Sequence, residues 1–296
     1  IGGLGADRWI GSGFKDAFED LGHEFYWLTN FDNVEKRLEE VRPDITMIGQ
    51  SMLLRQNIPH FEQHRKRGMK LVMRVDSFFD QDKEIGEILI NSDPADLYYG
   101  EVENPWMDRF KSVTGKEYHI ITNAAHHRLH FPANSVEKYE CDIVFLGAMM
   151  LNKKEMLQKL LLPLRKKYNV KIYGPNWTFK DNSLRLAALF ARKTGLFNIN
   201  KWISDKRISI PPEEENQLYS SAKICLNIHE RAPEIKTHVI LNERTFKIPA
   251  CGGFEICDFV PPLRRYFTEE EMVMACPPAV QSGEAARADD RNGDWI

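Results

Sequence analysis

Residues 242–256 combine charged and small side chains in a pattern suited to binding a phosphate group. Asn242 is placed to cap a helix whose first turn contains Arg244, and the segment then passes through Ala250-Cys251-Gly252-Gly253 into an apolar strand at 254–257. A capped helix start presents free N–H groups and a positive dipole end to an anion. Paired glycines let the backbone approach a ligand closely. The segment therefore predicts one wall of a phosphate-binding site.

A second polar group follows another predicted strand, in the stretch Asn227-Ile228-His229-Glu230-Arg231. Arginine donates paired hydrogen bonds to phosphate oxygens, which makes Arg231 and Arg244 candidates for binding a diphosphate. The alternative is that both arginines form surface salt bridges.

Asp76 directly follows a predicted strand at residues 70–75. Ligands bind beyond the carboxyl ends of strands in open α/β sheets, so this carboxylate is our candidate catalytic residue. It could act as a general base or position an acceptor hydroxyl. Capping of the following segment is the structural alternative.

Glycines cluster between residues 2 and 13, ahead of a predicted helix. They form either a flexible turn or a loop facing a cleft, with Gly3, Gly5 and Gly11 on the acceptor side. Arg8 stands where a GxGxxG motif needs its third glycine, and the Walker A lysine is absent. An NAD-dependent oxidoreductase is therefore not supported.

His126, His127 and His130 are dense enough to suggest a metal site. Pro132 makes a regular helix doubtful there, and no HExxH motif or nearby carboxylate pair supports ligation. We therefore predict hinge contacts or exposed histidines, and no metal.

Composition narrows the class of protein further. The 296 residues suit one large or two medium domains, and 43% hydrophobic residues can bury a sizeable core. A net charge of -3 argues against nucleic acid as the main partner. Five cysteines without CxxC spacing are typical of a reducing compartment. With no apolar run near the roughly 20 residues of a membrane span and no secretory leader, we expect a cytoplasmic protein.

Predicted strands and helices alternate along both halves, which indicates two mainly parallel, doubly wound sheets. The first half has predicted strands at 24–28, 45–49, 70–75, 96–100 and 119–122, and helices at 14–21, 34–41 and 61–67. The second half has predicted strands at 141–146, 170–173, 223–228 and 254–257, and helices at 153–168, 184–194 and 213–221.

These elements predict four regions. Residues 1–125 form an N-terminal Rossmann-like domain, with Ile1-Gly2-Gly3 as the end of its first strand. Residues 126–140 form a linker, and residues 141–276 form a C-terminal Rossmann-like domain. Residues 277–296 are interpreted as a mobile tail or as a segment unrelated to the fold, because they lack apolar periodicity.

An ordered set of motifs resembles the CgeB-type (spore-maturation) glycosyltransferases of the GT-B class. The resemblance covers residues 1 to about 276. It is carried by Leu21-Gly22-His23-Glu24, Arg42-Pro43-Asp44, Asp142-Ile143-Val144-Phe145-Leu146-Gly147, Ile172-Tyr173-Gly174-Pro175-Asn176-Trp177, Lys223-Ile224-Cys225-Leu226-Asn227-Ile228-His229, residues 244–254, and Phe267 with Glu270-Glu271-Met272-Val273.

The resemblance implies a GT-B-like α/β fold in which two Rossmann-like domains face a central cleft. The second domain would hold the nucleotide-sugar donor and the first the acceptor. Positions that match the donor side are Gly147, Gly174, Asn227, Arg244, Ala250, Cys251 and Gly252. Tyr173, His229, Arg231, Lys247 and Gly253 complete the predicted donor site.

Lys247 departs from the family pattern, in which Glu occupies this position and hydrogen-bonds the ribose hydroxyls. An ammonium only donates, so Lys247 cannot accept from the sugar. It could instead add charge beside the phosphates or mark a changed donor preference. Pro249 predicts that the surrounding helix is short or kinked.

The expected activity is metal-independent transfer of a sugar from a UDP- or GDP-linked donor to a hydroxyl acceptor, without a cofactor. The acceptor is a glycan, a small molecule or a protein. The alternative is a non-catalytic protein that binds a nucleotide-sugar or another ligand on the same fold.

Overall fold

The computed structural model describes residues 10–29, 32–49, 52–75, 83–103, 106–149, 154, 156–207, 210–231 and 239–275. Within these ranges the chain forms two separate sheets of parallel strands connected largely by helices. This arrangement confirms the predicted α/β class with two parallel sheets.

The first sheet contains four strands in sequential order, each parallel to its neighbour. They are β1 (Ile45–Gly49), β2 (Lys70–Arg74), β3 (Leu97–Gly100) and β4 (His119–Ile120). The helices of this half are α1 (Ile10–Asp20), α2 (Val34–Val41), α3 (Met52–Lys66), α4 (Lys83–Asn91) and α5 (Trp106–Thr114).

Aromatic packing holds part of this first half together. Trp106 and Phe110 on α5 stack with ring centroids 5.6 Å apart, and Tyr118 packs 4.9 Å from Trp106. All three side chains are buried. Aromatic side chains bury large apolar areas, so this cluster supplies much of the burial that α5 provides.

The second sheet has five parallel strands in the order β11-β10-β7-β5-β6. They are β5 (Cys141–Leu146), β6 (Val170–Tyr173), β7 (Ala222–Asn227), β10 (Glu255–Asp258) and β11 (Val273–Ala275). A short antiparallel pair, β8 (Glu230–Arg231) with β9 (Val239–Ile240), lies outside it. The helices are α6 (Phe179–Lys193), α7 (Phe197–Lys206), α8 (Glu215–Ser221) and α9 (Arg244–Ala250).

Two predicted helices differ from the observed ones because of proline. The helix predicted from Phe61 begins earlier, at Met52, and continues past Pro59 through a kink at Asn57. The helix predicted at 153–168 is instead a π-turn at Leu157–Leu161 followed by a 3-10 helix at Leu162–Lys166. Pro163 has no N–H to donate, so a regular α-helical ladder is interrupted there.

The predicted strand at residues 24–28 is wrong, because residues 23–29 adopt no regular secondary structure. Their aromatic side chains pack on α1 and on one another: Phe25 lies 6.4 Å from Phe18 and 5.0 Å from Trp27. Conversely, α4 and α5 were not predicted from the sequence.

The two halves are joined by residues 121–140, which contain turns but no helix or strand. Asn123 in this segment donates from Nδ2 to the carbonyl oxygen of Leu241 at 2.8 Å. Arg265 pairs with Glu103 at 3.0 Å. Ile240 also packs against the core of the first sheet. The segment before Asn242 is therefore anchored to the first half.

Candidate functional site

The predicted donor residues collect where the strands of the second sheet end. β5, β6 and β7 end at Leu146, Tyr173 and Asn227. These strands are parallel neighbours, so the residues that follow them meet at one edge. In open α/β folds this is the edge where ligands bind.

Glycine is required by close approach at two of these ends. Gly174 has φ of +123°, and a Cβ there would lie 2.3 Å from the carbonyl oxygen of Gly147. A Cβ on Gly147 would lie 2.6 Å from Nη1 of Arg244. The two glycines therefore let the loops after β5 and β6, together with the guanidinium of Arg244, occupy a volume that side chains would fill.

Arg244 links the ends of β5 and β7. Its Nη1 donates to the carbonyl oxygen of Leu146 at 2.8 Å and its Nη2 to that of Ile228 at 3.1 Å. Its Nε donates to Oδ1 of Asn227 at 3.0 Å. The guanidinium is thus fixed by three bonds, in the rigid geometry that suits arginine better than lysine.

Asn227 is fully buried and supports this arrangement. Its Oδ1 also accepts from Nδ2 of Asn242 at 2.8 Å, while its own Nδ2 donates to Oε1 of Glu255 at 2.8 Å. The amide therefore connects Arg244 to a buried carboxyl. A direct contact between Asn227 and a donor would require these bonds to be exchanged.

Glu255 begins β10 and carries a buried oxygen, Oε2, that has no hydrogen-bond partner among the described residues. Burial raises the pKa of Glu255 to about 7, although the hydrogen bond from Asn227 and the charge of Arg244 act in the opposite direction. Desolvation disfavours the charged form of a carboxyl group, which explains the sign.

His229 is fully buried beneath α9. Its Nδ1 lies 2.9 Å from Oδ1 of Asp258, and its Nε2 lies 2.9 Å from the hydroxyl of Thr245. The backbone N–H of His229 also donates to Asp258 at 2.8 Å. Both ring nitrogens are used inside the protein, so His229 positions the start of α9 rather than presenting a free nitrogen to a ligand.

Lys247 is buried in a group of charged side chains. Its Nζ lies 2.5 Å from Oε2 of Glu243 and 3.4 Å from Oε2 of Glu215. The same oxygen of Glu215 lies 3.4 Å from Nε2 of His130. The ammonium is thus neutralised within the protein, which explains how a lysine is accommodated in a buried position.

The helix α9 has only seven residues, as Pro249 predicted. The N-cap of this helix is Glu243, without a side-chain capping bond, so the predicted cap at Asn242 is wrong by one residue. Asn242 instead forms a local turn, in which its Oδ1 accepts from the N–H of Arg244 at 3.0 Å. After Ala250, the chain leaves the helix at the buried Cys251 and turns at Gly252, whose φ is +72°. A Cβ on Gly253 would lie 3.0 Å from the carbonyl oxygen of Tyr219. These glycines serve the return of the chain into β10.

Of the remaining predicted residues, Tyr173 lies at this edge and the others cannot be placed there. Tyr173 ends β6 and packs edge-to-face on Tyr139, with centroids 6.2 Å apart. Arg231 lies in β8, and its side chain is outside the described part of the structure. Asp76, Gly3 and Gly5 also lie outside the described residues.

Gly11 does not lie in a loop, because α1 already begins at Ile10. Its neighbours Phe14 and Phe18 give this helix an apolar side, which favours continuing the helix back through the glycines. The predicted glycine loop is therefore wrong for Gly11 and Gly13, although the acceptor role of Gly11 stays a prediction.

The three histidines point to different carboxylates. Nε2 of His126 lies 3.2 Å from Asp16, and Nε2 of His127 lies 2.6 Å from Asp20. His130 instead faces Glu215. Within the described residues, no group of three or more His, Cys, Asp or Glu side chains is arranged to hold a metal ion.

Sequence reasoning missed the acidic and hydroxyl residues in and around α9: Glu215, Glu243, Thr245, Glu255 and Asp258. One signal was present for Glu255 and Asp258, because they flank the apolar pair Ile256-Cys257 in a buried strand. An acid at such a position is buried only with a partner or at a cost. Nothing comparable marks Glu215, which begins a polar helix.

A known family matches much of the second half of the chain. Residues 153–291, just under half of the chain, match the family described as glycosyl transferase-like. The match contains β6, β7, α9 and β10, and therefore most of the site described above. A comparison with curated proteins found no match.

A solved structure with a similar fold is sucrose-phosphate synthase from Thermosynechococcus elongatus, at 14% identity and a TM-score of 0.50. The alignment covers 82% of this chain and 63% of that structure. The lipopolysaccharide outer core galactosyltransferase WaaB aligns over 82% of this chain and 62% of its own, at 14% identity and a TM-score of 0.36.

The chain thus spans less than two thirds of the length of these solved structures. The fold is GT-B-like, with two Rossmann-type sheets, as the sequence predicted. The predicted class of enzyme, a glycosyltransferase, agrees with the family match. None of the helices in the described part of the chain is long and apolar enough to cross a membrane.

Proposed function

We propose that this protein is a glycosyltransferase that moves a sugar from a nucleoside-diphosphate donor to a hydroxyl acceptor. The observation that carries the proposal is Arg244, held by Leu146, Asn227 and Ile228 at the carboxyl ends of two parallel strands. The glycosyl transferase-like match of residues 153–291 supports the same chemistry.

Arg244 would stabilise the leaving diphosphate. A guanidinium carries five N–H groups, and three of those on Arg244 are used within the described structure. One N–H on each Nη nitrogen is left to donate to phosphate oxygens. Because the group is held rigidly before the donor arrives, little reorganisation would be needed as negative charge develops on the diphosphate.

Gly147 and Gly174 would bring backbone close to the same phosphates, since a Cβ on Gly147 would strike Arg244 and a Cβ on Gly174 would strike the backbone of Gly147. This mode of charge stabilisation uses protein groups alone, so we propose metal-independent transfer. The CgeB-type resemblance, a UDP- or GDP-linked donor and a cytoplasmic location belong to the same proposal. An acid following β2, Asp76, is the proposed acceptor base.

The proposal is tested by titration calorimetry of the full chain with UDP and with GDP, with and without EDTA. We expect one of them to bind, with unchanged affinity in EDTA. Arg244→Lys should lower kcat/KM for donor turnover about 100-fold, since lysine cannot make the three bonds and still reach the phosphates. Failure of a folded protein to bind either nucleotide would contradict the proposal.

A matched control is Arg65→Lys in the first half. Arg65 donates from Nε to Asp96 at 2.9 Å and from Nη1 to the carbonyl oxygen of Asp93 at 2.7 Å. It therefore has a comparable structural role but lies away from the second sheet. Arg65→Lys should therefore leave the affinity for UDP or GDP unchanged.

A second candidate, a non-catalytic binder of nucleotide-sugars, is favoured by one observation. Lys247 occupies the ribose-binding position of the resembled family and is neutralised by Glu243 and Glu215. Slow release of UDP or GDP from a donor in water distinguishes the two. A transferase hydrolyses the donor slowly without an acceptor, whereas a binder leaves it intact.

A further inference from the structure

The helical hairpin formed by α6 and α7 turns its large apolar side chains outward. Exposed fractions reach 89% for Phe179, 67% for Leu186 and 68% for Phe190 on α6, and 59% for Trp202 on α7. Single exposed apolar residues are common, but a concentration of this kind marks an interaction surface.

The exposed residues of α6 form a stripe along one side of the helix. Phe179, Leu186 and Phe190 are separated by seven and four residues, which places them on the same face. The residues that α6 buries are small ones, Ala188 and Ala191. An ordinary surface helix does the reverse, burying its large apolar side chains.

The small face of α6 is occupied by its neighbour. Asn200 on α7 donates from Nδ2 to the carbonyl oxygen of Ala188 at 2.8 Å, and Ile203 on α7 is buried. The two helices therefore pack against each other through the alanine face of α6, and the exposed stripe of α6 faces away from α7. On α7 the ammonium of Lys206 lies 5.9 Å from the ring centre of Trp202.

The hairpin is basic, although the chain as a whole is acidic. Its helices carry six Lys or Arg and two Asp, a formal charge of +4, whereas the whole chain has −3. The six basic side chains are all exposed: Lys180, Arg185, Arg192, Lys193, Lys201 and Lys206. One of the two acids, Asp181, is already bonded to Arg207 at 2.8 Å.

We propose that this hairpin docks the protein onto the surface of an anionic phospholipid membrane. Phe, Leu and Trp would enter the boundary between headgroups and acyl chains, while lysine and arginine contact the lipid phosphates. This combination of an apolar stripe with a basic polar face is what interfacial helices use. Each basic residue near an anionic surface adds attraction that salt screens. The proposal does not depend on the transferase activity.

The test is sedimentation of the full chain with vesicles of phosphatidylcholine, with and without 30% phosphatidylglycerol. We expect binding to the anionic vesicles that weakens as NaCl is raised. The double variant Phe190→Ala/Trp202→Ala should lower the partition coefficient by about tenfold or more, because two anchoring side chains are lost. The triple variant Arg185→Gln/Arg192→Gln/Lys193→Gln should weaken the salt dependence clearly, because it removes three of the six basic side chains.

The matched control is Leu21→Ala/Ile90→Ala, which removes apolar side chains that are 74% and 50% exposed outside the hairpin. It should bind vesicles as the parent does, and circular dichroism should show all variants folded. Equal binding to neutral vesicles, or no loss in Phe190→Ala/Trp202→Ala, would overturn the proposal. So would a dimer in sedimentation velocity that this double variant dissociates while neither vesicle binds, because the hairpin would then bind a second copy.

Discussion

The two sheets of this protein are similar in plan but bury different chemistry. The first half buries an aromatic cluster of Trp106, Phe110 and Tyr118 between helix and sheet. The second half buries Asn227, His229, Thr245, Glu255 and Asp258 around the ends of its strands. The apolar cluster stabilises a fold, whereas the polar network fixes the position of Arg244.

This difference indicates which substitutions each half tolerates without altering the site. A buried polar group must be bonded, so each residue of the second network restricts its neighbours. The first half has its own buried polar groups, such as Thr46 and His64, but among the described residues these are fewer than in the second half. We therefore expect substitutions in the first core to alter stability alone, and those in the second network to alter the site as well.

The largest effect on stability is expected for Phe110→Ala, which removes a fully buried ring from the first core. Such truncations cost about 3–5 kcal/mol, because a cavity remains. Chemical denaturation should show this loss, while the affinity of the folded variant for UDP or GDP stays unchanged. A large fall in nucleotide affinity would contradict the claim that substitutions in the first core alter stability alone.

The second-largest loss of stability is expected when the buried ion pairs of Lys247 in the second half are removed. Lys247→Met leaves Glu215 and Glu243 without their ammonium, which should cost about 3 kcal/mol. Adding Glu215→Gln removes one of the two carboxylate charges that face Lys247 and should recover much of that loss. If the double variant is as unstable as the single one, the charges do not interact as the distances indicate.

Glu255→Gln tests whether the raised pKa of the buried Glu255 makes the stability of the fold depend on pH. A folded-state pKa of about 7, above its ordinary value, means that the folded protein holds a proton that the unfolded chain releases. The stability from this group is present below about pH 4.5 and is lost as the pH rises through 7. The variant should therefore match the parent at pH 4 and exceed its stability at pH 8 by up to about 3 kcal/mol. Parallel unfolding curves at both pH values would contradict the assignment.

The smallest effect on stability is expected for alanine substitutions of two glycines, Gly49 and Gly147, which lie at strand ends in the first and second sheets. Gly49 ends β1 and Gly147 follows β5, but only Gly147 has a neighbour that an added Cβ would strike. Gly147→Ala should cost about 1–3 kcal/mol and weaken nucleotide binding, since Arg244 must move. Gly49→Ala should change stability by less than about 0.5 kcal/mol. Equal tolerance at both positions would remove the evidence for close packing around Arg244.

Much of the fold could be predicted from the sequence because its strands are short apolar runs bounded by turns. β1, β5 and β6 fall where the pattern places them. The pattern fails at residues 24–28, where aromatic residues pack on α1 instead of pairing with a strand. It also fails around prolines 59 and 163, because proline lacks an N–H and disturbs the regular hydrogen bonding of a helix.

The site was partly predictable for a different reason. Glycines and Arg244 are marked by residue type and by their place after strands. Glu215 cannot be found this way, because its role comes from contact with Lys247, 32 residues further along the chain. Likewise, the bonds of His229 to Asp258 and Thr245 depend on how α9 lies over β7 and β10.

Hydrogen–deuterium exchange of the full chain, measured with and without saturating UDP or GDP, tests the central claim most directly. If the strand ends of the second half bind the nucleotide, exchange should slow in residues 146–149, 173–177, 227–229 and 242–253. At the strand ends of the first half, residues 49 and 74–75, the nucleotide should slow exchange only slightly. Protection confined to the first half, or its absence throughout, would contradict the account.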